Sequence, residues 1–219
     1  MFLAADISLY TNAIAETFFM TLTSSLISYL IGIPLGVLLY TTAKDGLTPN
    51  AGVYNILSLI VNIFRSIPFL ILLAFITPFT FLIVKTTIGS IAVIPPLVVS
   101  ASPYIARMVE SSLKEVDSGV IEAAKSMGAT NFQIIHKVLL SEAKPSLLVG
   151  AAISITTILG YSAMAGAVGG GGLGAIALNY GYYRYNQQVM WITVVLLIVI
   201  VQILQESFMG LSRKSDKRL

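Results

Sequence analysis

Long apolar stretches without charged residues dominate the pattern of hydrophobic and polar positions along this chain. A helix needs about 20 apolar residues to cross the ~30 Å hydrocarbon core of a bilayer, where backbone polar groups must be satisfied within their own segment. Windows of that length predict five membrane-spanning helices, near residues 17–41, 54–78, 87–112, 144–166 and 189–209. We therefore expect an all-α polytopic membrane protein with a single transmembrane domain over residues 1–219.

Two of the apolar stretches are less regular than the others. The stretch between residues 46 and 84 contains one charge, Arg65, and predicts one long helix or, as the less favoured alternative, two short ones. Residues 166–174 contain six glycines, a composition that disfavours a lipid-facing helix. We expect an extracytoplasmic loop to follow the fourth span, and for its glycines a flexible loop and a packing or hinge role both remain open.

The composition supports a membrane protein. Hydrophobic residues make up 56% of the 219 residues and charged residues 11%, whereas an average soluble domain is roughly 25% charged. A cytosolic enzyme, a secreted domain and a disordered regulator are therefore disfavoured. The net charge is +3 and the basic residues are scattered, so we expect no nucleic-acid partner. The chain has no cysteine and one histidine, His136, so we expect no metal site.

The distribution of lysine and arginine predicts the orientation in the membrane. Cytoplasmic segments carry an excess of these residues, and an odd number of spans puts the termini on opposite sides. With the C-terminus inside, the cytoplasmic segments contain ten of the thirteen basic residues: Lys44, Arg107, Lys114, Lys125, Lys137, Lys144, Arg213, Lys214, Lys217 and Arg218. We predict the N-terminus outside. Residues 1–12 lack a basic residue, so the first segment is expected to be a span rather than a cleavable signal peptide.

The expected cytoplasmic loop, about residues 113–143, begins with the pattern of a short helix. Asp117 or Ser118 can cap its N-terminus, and Glu122 lies in its first turn, where the helix dipole favours an acid. Gly128 can provide the left-handed residue that ends such a helix. We expect the small apolar side chains between these residues to form a shallow surface.

A second helix is predicted directly after the first. Residues 130–133, Thr-Asn-Phe-Gln, have the capping-box form. The apolar stripe that follows has helical spacing and consists of Ile134, Ile135, Val138 and Leu139. Two interpretations of the helix pair remain open: an amphipathic pair on the membrane or under the bundle, or a docking element for a soluble partner.

The first helix of the loop carries a motif. Residues 122–128, Glu-Ala-Ala-Lys-Ser-Met-Gly, together with Val138 and Leu140, resemble the EAA loop of ABC importer permeases, E-A-A-x(3)-G-x(9)-I-x-L-P. Val138 stands where that pattern has Ile, and Ser141 where it has Pro. The resemblance implies coupling to an ATPase subunit through Glu122, Ala123, Ala124, Met127 and Gly128.

Four further blocks extend the resemblance over nearly the whole chain. They are residues 32–40 (GIPLGVLLY), 62–69 (NIFRSIPF), 105–110 (IARMVE) and 160–169 (GYSAMAGAVG). In this order and in a five-span chain, they are similar to the methionine-import permeases of type I ABC importers. The resemblance implies a homodimer in the bacterial cytoplasmic membrane, two ATP-binding subunits below it and a substrate-binding protein on the outer side. It also implies methionine as cargo, in either enantiomer, with ATP and magnesium bound by the partner and no cofactor in this chain.

The residues themselves point to no catalytic site. The glycine run at 169–174 is not followed by Lys-Ser or Lys-Thr, so it is not a Walker A loop that could bind ATP phosphates. The sequence contains no Ser-His-Asp set, no paired carboxylates within a span and no metal-ligand spacing. We therefore expect a transport subunit that depends on a partner for ATP hydrolysis.

Candidate residues for a translocation pathway are Arg65, Ser66, Pro68, Tyr161 and Met164. Arg65 is a costly intramembrane charge, which reaches the membrane interface or lines a cavity and bonds backbone carbonyls freed at Pro68. Tyr161 and Met164 lie near the outer end of the fourth span and are candidates for a gate or a substrate contact, with core packing as the alternative.

Two features are assigned to the outer membrane interface. Glu16, at the outer end of the first span, is expected to face the lipid headgroups. The aromatic cluster around Arg184 fits an interfacial belt or a contact with a binding protein, and it comprises Tyr180, Tyr182, Tyr183, Tyr185 and Trp191.

Two rival functions remain open at this point. One is a permease of the same family for another small solute, such as a polar amino acid or an organophosphorus compound. The other is a channel or membrane scaffold that uses the 107–144 loop for assembly only. A channel conducts without nucleotide, whereas a permease of this kind stops when the ATPase of its partner is inactive.

Overall fold

The computed structural model describes residues 2–215, with side chains from residue 7, so Lys217 and Arg218 lie outside the described residues. All regular elements within that range are helical. The α-helices are Phe2–Thr42 (α1), Ala51–Ser66 (α2), Phe69–Phe75 (α3), Thr77–Val84 (α4), Ser90–Lys114 (α5), Ser118–Ser126 (α6), Asn131–Gln133 (α7), Leu140–Glu142 (α8), Lys144–Ala165 (α9), Gly172–Ile176 (α10) and Gln187–Ser215 (α11). Two π-helices, Ile134–Leu139 and Ala177–Tyr182, and a 3₁₀ turn, Gly166–Val168, complete them.

The described helices account for the predicted number of spans. Four segments are long and apolar enough to cross a membrane: Ile7–Thr42, Ser90–Lys114, Lys144–Val168 and Gln187–Ser215. The pair α2 and α3 meets the same test but is bent by 100°. Counting this pair as one broken span gives the five spans expected from the sequence.

The single long helix favoured for residues 54–78 is not observed. The α2 helix ends at Ser66, and α3 begins at Phe69 with Pro68 as its N-cap residue in an extended conformation, φ −58° and ψ 135°. Proline has no amide hydrogen to donate, and it disfavours helical geometry in the residue before it, here Ile67. The structure therefore has three shorter helices, α2, α3 and α4, in this stretch, where the less favoured alternative expected two.

The stretch expected to form an extracytoplasmic loop after residue 166 is mostly helical. The 3₁₀ turn, α10 and the second π-helix follow one another over residues 166–182. The α10 helix is buried at most of its positions, and a Cβ at Gly174 would collide with the backbone of Ala163. The glycines of this run thus serve close packing of the backbone, which glycine content alone does not distinguish from loop flexibility.

The chain forms two compact units, each assembled from three separate parts of the sequence. The first unit contains the described residues of 1–28, 67–101 and 155–205. Its core is a cluster of buried apolar side chains, Ala13, Leu159, Leu173, Ile176 and Ile200. The second unit contains the described residues of 29–66, 102–154 and 206–219, and its core cluster is Leu39, Val61 and Ala106.

Glycines bring α1 and α5 close together in the second unit. Gly32 and Gly36 lie one helical turn apart on α1, which is the spacing that lets two helix backbones approach in lipid. A Cβ at Gly36 would lie 2.6 Å from both the Ala106 carbonyl oxygen and the Val109 Cβ. The packing role preferred for this pair from the sequence is therefore confirmed.

We expect Gly36→Ala to destabilise the protein by about 1–3 kcal/mol, because the added methyl group overpacks the contact with α5. The matched control is Gly160→Ala in α9, where nothing lies within 4 Å of the added Cβ. Thermal unfolding of the purified variants in detergent measures both effects. Equal melting temperatures for the two variants would contradict the close α1–α5 packing.

Apolar side chains remain exposed along the long helices. Leu30 on α1, Ile56 on α2 and Trp191 on α11 are each more than 60% exposed. Only 11% of the apolar window of α11 is buried within the chain. Large apolar side chains exposed to this extent need lipid or another protein to cover them.

Candidate functional sites

The first helix of the candidate coupling loop, α6, is capped at both ends as its sequence indicates. The Asp117 side chain accepts a hydrogen bond from the Gly119 backbone N–H at 2.7 Å, so Asp117 rather than Ser118 is the N-cap. Gly128 follows the helix with φ +79°, the left-handed conformation predicted for the residue that ends it.

The capping box predicted at residues 130–133 is present. The Thr130 N–H donates to Gln133 Oε1 at 2.9 Å, and the Gln133 N–H donates to Thr130 Oγ1 at 3.3 Å. After this single α turn the chain continues as a π-helix, in which Ile134 and Leu139 are fully buried. The backbone hydrogen bonds of a π-helix run i→i+5, whereas the sequence predicted an α-helix, whose bonds run i→i+4.

The coupling candidates do not share one environment. Ala123 and Met127 are exposed, and Met127 is 81% exposed. Ala124 is buried together with Ile121 on an adjacent side of α6. Glu122 is exposed on a third side, toward a pocket that Lys125 also lines. The outward surface of the helix, which we call the α6 outer face, therefore consists of Val120, Ala123 and Met127.

An exposed aromatic pair beside this helix was not anticipated. Phe132 is 74% exposed, and its ring stacks on His136 with the ring centroids 5.9 Å apart and nearly parallel. Phe132 belongs to the capping-box sequence and not to the apolar stripe that follows it. The sequence could therefore have predicted that its side chain is exposed. The structure thus places an additional apolar group on the same loop as Met127.

A cluster of three charged side chains lies on α5 in the second unit, within and just after residues 105–110. The Glu110 carboxylate, 2% exposed, accepts hydrogen bonds from Arg107 Nη1 at 2.6 Å and Lys114 Nζ at 2.7 Å. The Tyr54 hydroxyl donates to the same carboxylate at 3.2 Å. The sequence-based predictions assigned no role to these three charges. Their spacing of three and four residues nevertheless puts them on one helix face.

The same cluster connects α5 to α2. Arg107 Nη2 donates to Asn62 Oδ1 at 3.1 Å and also to the hydroxyl of Ser58. One carboxylate is thereby bonded to three donors, and one guanidinium bridges two helices. Such a fully bonded network can hold charges in an apolar segment, where unpaired charges are very costly.

The pathway candidates at the end of α2 are exposed. Arg65 makes no hydrogen bond or ion pair with any residue in the described part of the chain, including the backbone near Pro68. The Ser66 hydroxyl donates to the Asn62 carbonyl at 2.8 Å. Both side chains therefore remain available to groups outside this chain.

The remaining pathway candidates lie in the first unit. Pro68 is the N-cap residue of α3. The buried Phe69 directly after it stacks on Tyr161, with ring centroids 4.7 Å apart and an interplanar angle of 3°. Met164, one turn further along α9, is about half exposed. The structure brings Tyr161 to the start of α3, and the ring stacking fixes its side chain in place.

The expectation that Glu16 faces the lipid headgroups is wrong. Its Oε2 accepts a hydrogen bond from the Gly172 N–H at 2.6 Å, and Thr17 Oγ1 accepts one from the Leu173 N–H at 2.9 Å. These two acceptors bond the first backbone N–H groups of α10, which have no partner within their own helix. Gly171 and Gly172 have positive φ angles, and a Cβ on Gly171 would lie 2.6 Å from Glu16 Oε2.

We expect Glu16→Ala to lower the free energy of unfolding by about 1–3 kcal/mol, because the N-terminus of α10 loses a charge-assisted hydrogen bond in an apolar setting. Glu16→Gln retains an acceptor oxygen and should lose clearly less. Thermal unfolding in detergent, combined with hydrogen exchange at residues 172–176, measures the effect. Unchanged melting and exchange in Glu16→Ala would contradict the capping role.

Comparison with known sequences identifies related transport proteins. Residues 32–214 match the family model described as binding-protein-dependent transport system inner membrane component. A probable D-methionine transport system permease protein, MetI, from Vibrio cholerae is 49% identical over 215 residues, which cover 98% of this chain and 96% of that protein. The D-methionine transport system permease protein MetI of Escherichia coli K12 is 52% identical over 158 residues, 72% of this chain and 73% of that one.

Comparison with solved structures gives the same fold. A chain of the inward-facing MetNI methionine ABC transporter, in its CY5 native crystal form, aligns with a TM-score of 0.95 and 48% identity, over 97% of this chain and 99% of that chain. A chain of an amino acid ABC transporter with histidines aligns with a TM-score of 0.73 at 20% identity, so it shares the fold.

Proposed function

Because this chain belongs to the family of binding-protein-dependent transport system inner membrane components, we propose that it is the permease subunit that carries methionine across the cytoplasmic membrane. The observation that supports this substrate is the 49% identity, over 98% of the chain, to a protein named for D-methionine transport. We propose both enantiomers as cargo, since the similar solved transporter is named for methionine without an enantiomer. ATP hydrolysis belongs to a separate partner subunit.

The proposed assembly contains two copies of this chain, two ATP-binding subunits on the cytoplasmic side and a substrate-binding protein on the outer side. The family description names dependence on a binding protein, and the exposed apolar surface of α2 offers area for a second copy. A symmetric pair is the commonest arrangement of identical subunits. ATP and magnesium would be bound by the partner ATPase alone.

We assign the coupling contact to the α6 outer face, with Met127 at its end. An exposed apolar stripe on a short, doubly capped helix is suited to a groove on a partner protein. Ala124 supports the contact from the buried side, and Gly128 sets the direction of the chain after the helix. Glu122, the remaining motif residue, is exposed beside this face and can make polar contacts at its edge.

Movement of α6 with the ATPase would be transmitted to the spans on either side of the loop. The loop lies between α5 and α9, and the Ser112 and Ser146 hydroxyls of these helices are hydrogen-bonded at 2.9 Å. Rigid-body movement of packed helices is one of the established ways in which transporters change access. Arg65 and Ser66 in the second unit, and Pro68, Tyr161 and Met164 in the first, are our candidate residues for the pathway.

Methionine uptake tests the proposed function. In cells without methionine uptake of their own, we expect the chain, coexpressed with its ATPase and binding protein, to restore accumulation of labelled L-methionine. Unlabelled D-methionine should compete, whereas a polar amino acid and an organophosphorus compound should not. Competition by either of those solutes but not by methionine would reassign the cargo. Uptake that persists with an inactive ATPase would indicate a channel.

A further inference from the structure

The second unit contains a pocket of about 570 Å³ at the ends of its long helices. The pocket lies where α1 ends, where α5 ends at Lys114, and where α2 and α6 begin. Helix ends of this kind lie at the boundary between the hydrocarbon core and water. The charge pattern of the sequence assigns this boundary to the cytoplasmic side.

The lining of the pocket is amphipathic. Its inner part is formed by buried apolar or aromatic side chains, among them Tyr40, Val116 and Ile121. Three lysines, Lys44, Lys114 and Lys125, line it as well. All three are exposed, so their ammonium groups can reach a ligand that enters from the membrane surface. Basic pockets between helices at this depth are typical sites for lipid headgroups.

The charges of the pocket are incompletely paired. Lys114 shares the Glu110 carboxylate with Arg107, so this group of three retains one positive charge. Lys44 and Lys125 form no ion pair with any described residue.

Two acids line the same pocket, and they narrow the class of ligand. Asp45 and Glu122 also make no ion pair within the described residues. A ligand with only negative charge would satisfy the lysines and leave these carboxylates facing it. A ligand that carries both a phosphate and a primary ammonium group satisfies both sets.

We propose that this pocket binds the headgroup of phosphatidylethanolamine from the surrounding bilayer. The phosphate lies against Lys44, Lys114 and Lys125, and the primary ammonium group donates hydrogen bonds to Asp45 and Glu122. The quaternary ammonium of phosphatidylcholine has no N–H to donate, so it is the weaker ligand. Phosphatidylglycerol matches the lysines and not the acids.

The proposed lipid would contact three separate parts of the chain. They are the turn after α1, at residues 43–47, the end of α5 at Lys114, and α6, through Ser118, Glu122 and Lys125. A bound headgroup therefore links the end of the first span to the helix that we assign to coupling. The proposal itself rests on the pocket and on the membrane location, and it is independent of the cargo.

Native mass spectrometry of the purified permease–ATPase complex in detergent tests the proposal. We add phosphatidylethanolamine, phosphatidylcholine and phosphatidylglycerol with identical acyl chains, each at the same concentration. The phosphatidylethanolamine adduct should be retained about tenfold more strongly than the phosphatidylcholine adduct. This is the magnitude expected because phosphatidylcholine cannot donate the charge-assisted hydrogen bonds to the two carboxylates. Equal retention of these two lipids, or retention of none of them, would overturn the proposal.

Substitutions locate the adduct at this pocket. The double variant Lys44→Gln, Lys125→Gln should weaken phosphatidylethanolamine retention by about thirtyfold, since each of the two lysines near a lipid phosphate contributes on the order of 1 kcal/mol. The control Lys137→Gln removes an exposed lysine outside the pocket and should leave retention unchanged. If both variants behave alike, the lipid does not bind here.

Two further experiments test the contact with the ammonium group and distinguish a bound lipid from free phosphate. The variant Asp45→Asn, which leaves the coupling motif unchanged, should reduce the preference for phosphatidylethanolamine over phosphatidylcholine, and an unchanged preference would contradict the ammonium contact. Inorganic phosphate at the lipid concentration should not displace phosphatidylethanolamine. Complete displacement would identify free phosphate, rather than lipid, as the ligand.

Discussion

Glu110→Ala is expected to destabilise the protein by about 3 kcal/mol, the effect of removing one partner from a buried ion pair. The substitution leaves Arg107, whose side chain is 19% exposed, without its carboxylate partner at 2.6 Å. It also removes the acceptor of the Tyr54 hydroxyl. Lys114 contributes less to this loss because its side chain is half exposed and can be hydrated. Thermal or denaturant unfolding in detergent measures the change.

The exposed ion pair between Glu206 and Arg213 provides a matched control. Its partners are 3.0 Å apart, with more than 60% of each side chain exposed. Exposed pairs contribute roughly 0–1 kcal/mol, so Glu206→Ala should leave the unfolding midpoint almost unchanged. Glu110→Gln should lie between the two alanine variants, because an amide keeps an acceptor oxygen without its charge. Equal unfolding of Glu110→Ala and Glu206→Ala would contradict the importance of the buried cluster.

Met127→Glu should separate the chain from its ATPase without unfolding it. Met127 is 81% exposed, so its replacement removes few contacts within the chain. A carboxylate without a partner in an apolar interface costs about 2 kcal/mol or more, which corresponds to roughly thirtyfold weaker binding. Copurification of the ATPase from detergent should fall accordingly, and methionine uptake should fall with it.

Met127→Leu is the control for the coupling variant. It keeps an apolar side chain of similar volume, so copurification and uptake should stay near the unsubstituted level. Both variants should be recovered from the membrane in equal amount with equal melting temperatures. If the ATPase copurifies equally well with Met127→Glu and with Met127→Leu, the assignment of Met127 to the coupling contact is wrong.

Features that depend on neighbouring residues were accessible from the sequence. The cap at Asp117, the left-handed Gly128 and the reciprocal bonds of Thr130 and Gln133 each arise within a few residues, and all are confirmed. The family was accessible as well, because residues 122–128 form a motif. The number of spans followed from the length of the apolar windows, with the bent pair counted as one.

Features that depend on distant residues were not accessible in this way. Glu16 and Gly172 are 156 residues apart, and the sequence around neither residue predicts the hydrogen bond between them. The burial of α10 requires partners from the rest of the first unit. Its glycine content alone therefore left a flexible loop and a packing or hinge role both open. The π-helix after Thr130 differs from an α-helix by one residue per turn, which a four-residue apolar stripe does not resolve. The stretch between residues 46 and 84 was interpreted as one long helix or two short ones, and it contains three helices because the chain breaks before Pro68 and again at Ile76.

ATP-driven transport by this chain can be measured as methionine uptake into proteoliposomes that contain the permease, with or without its ATPase and with ATP available to the nucleotide-binding side. We expect labelled methionine to accumulate against its gradient only when the ATPase, ATP and the binding protein are all present. Accumulation by the permease alone, without nucleotide, would contradict it.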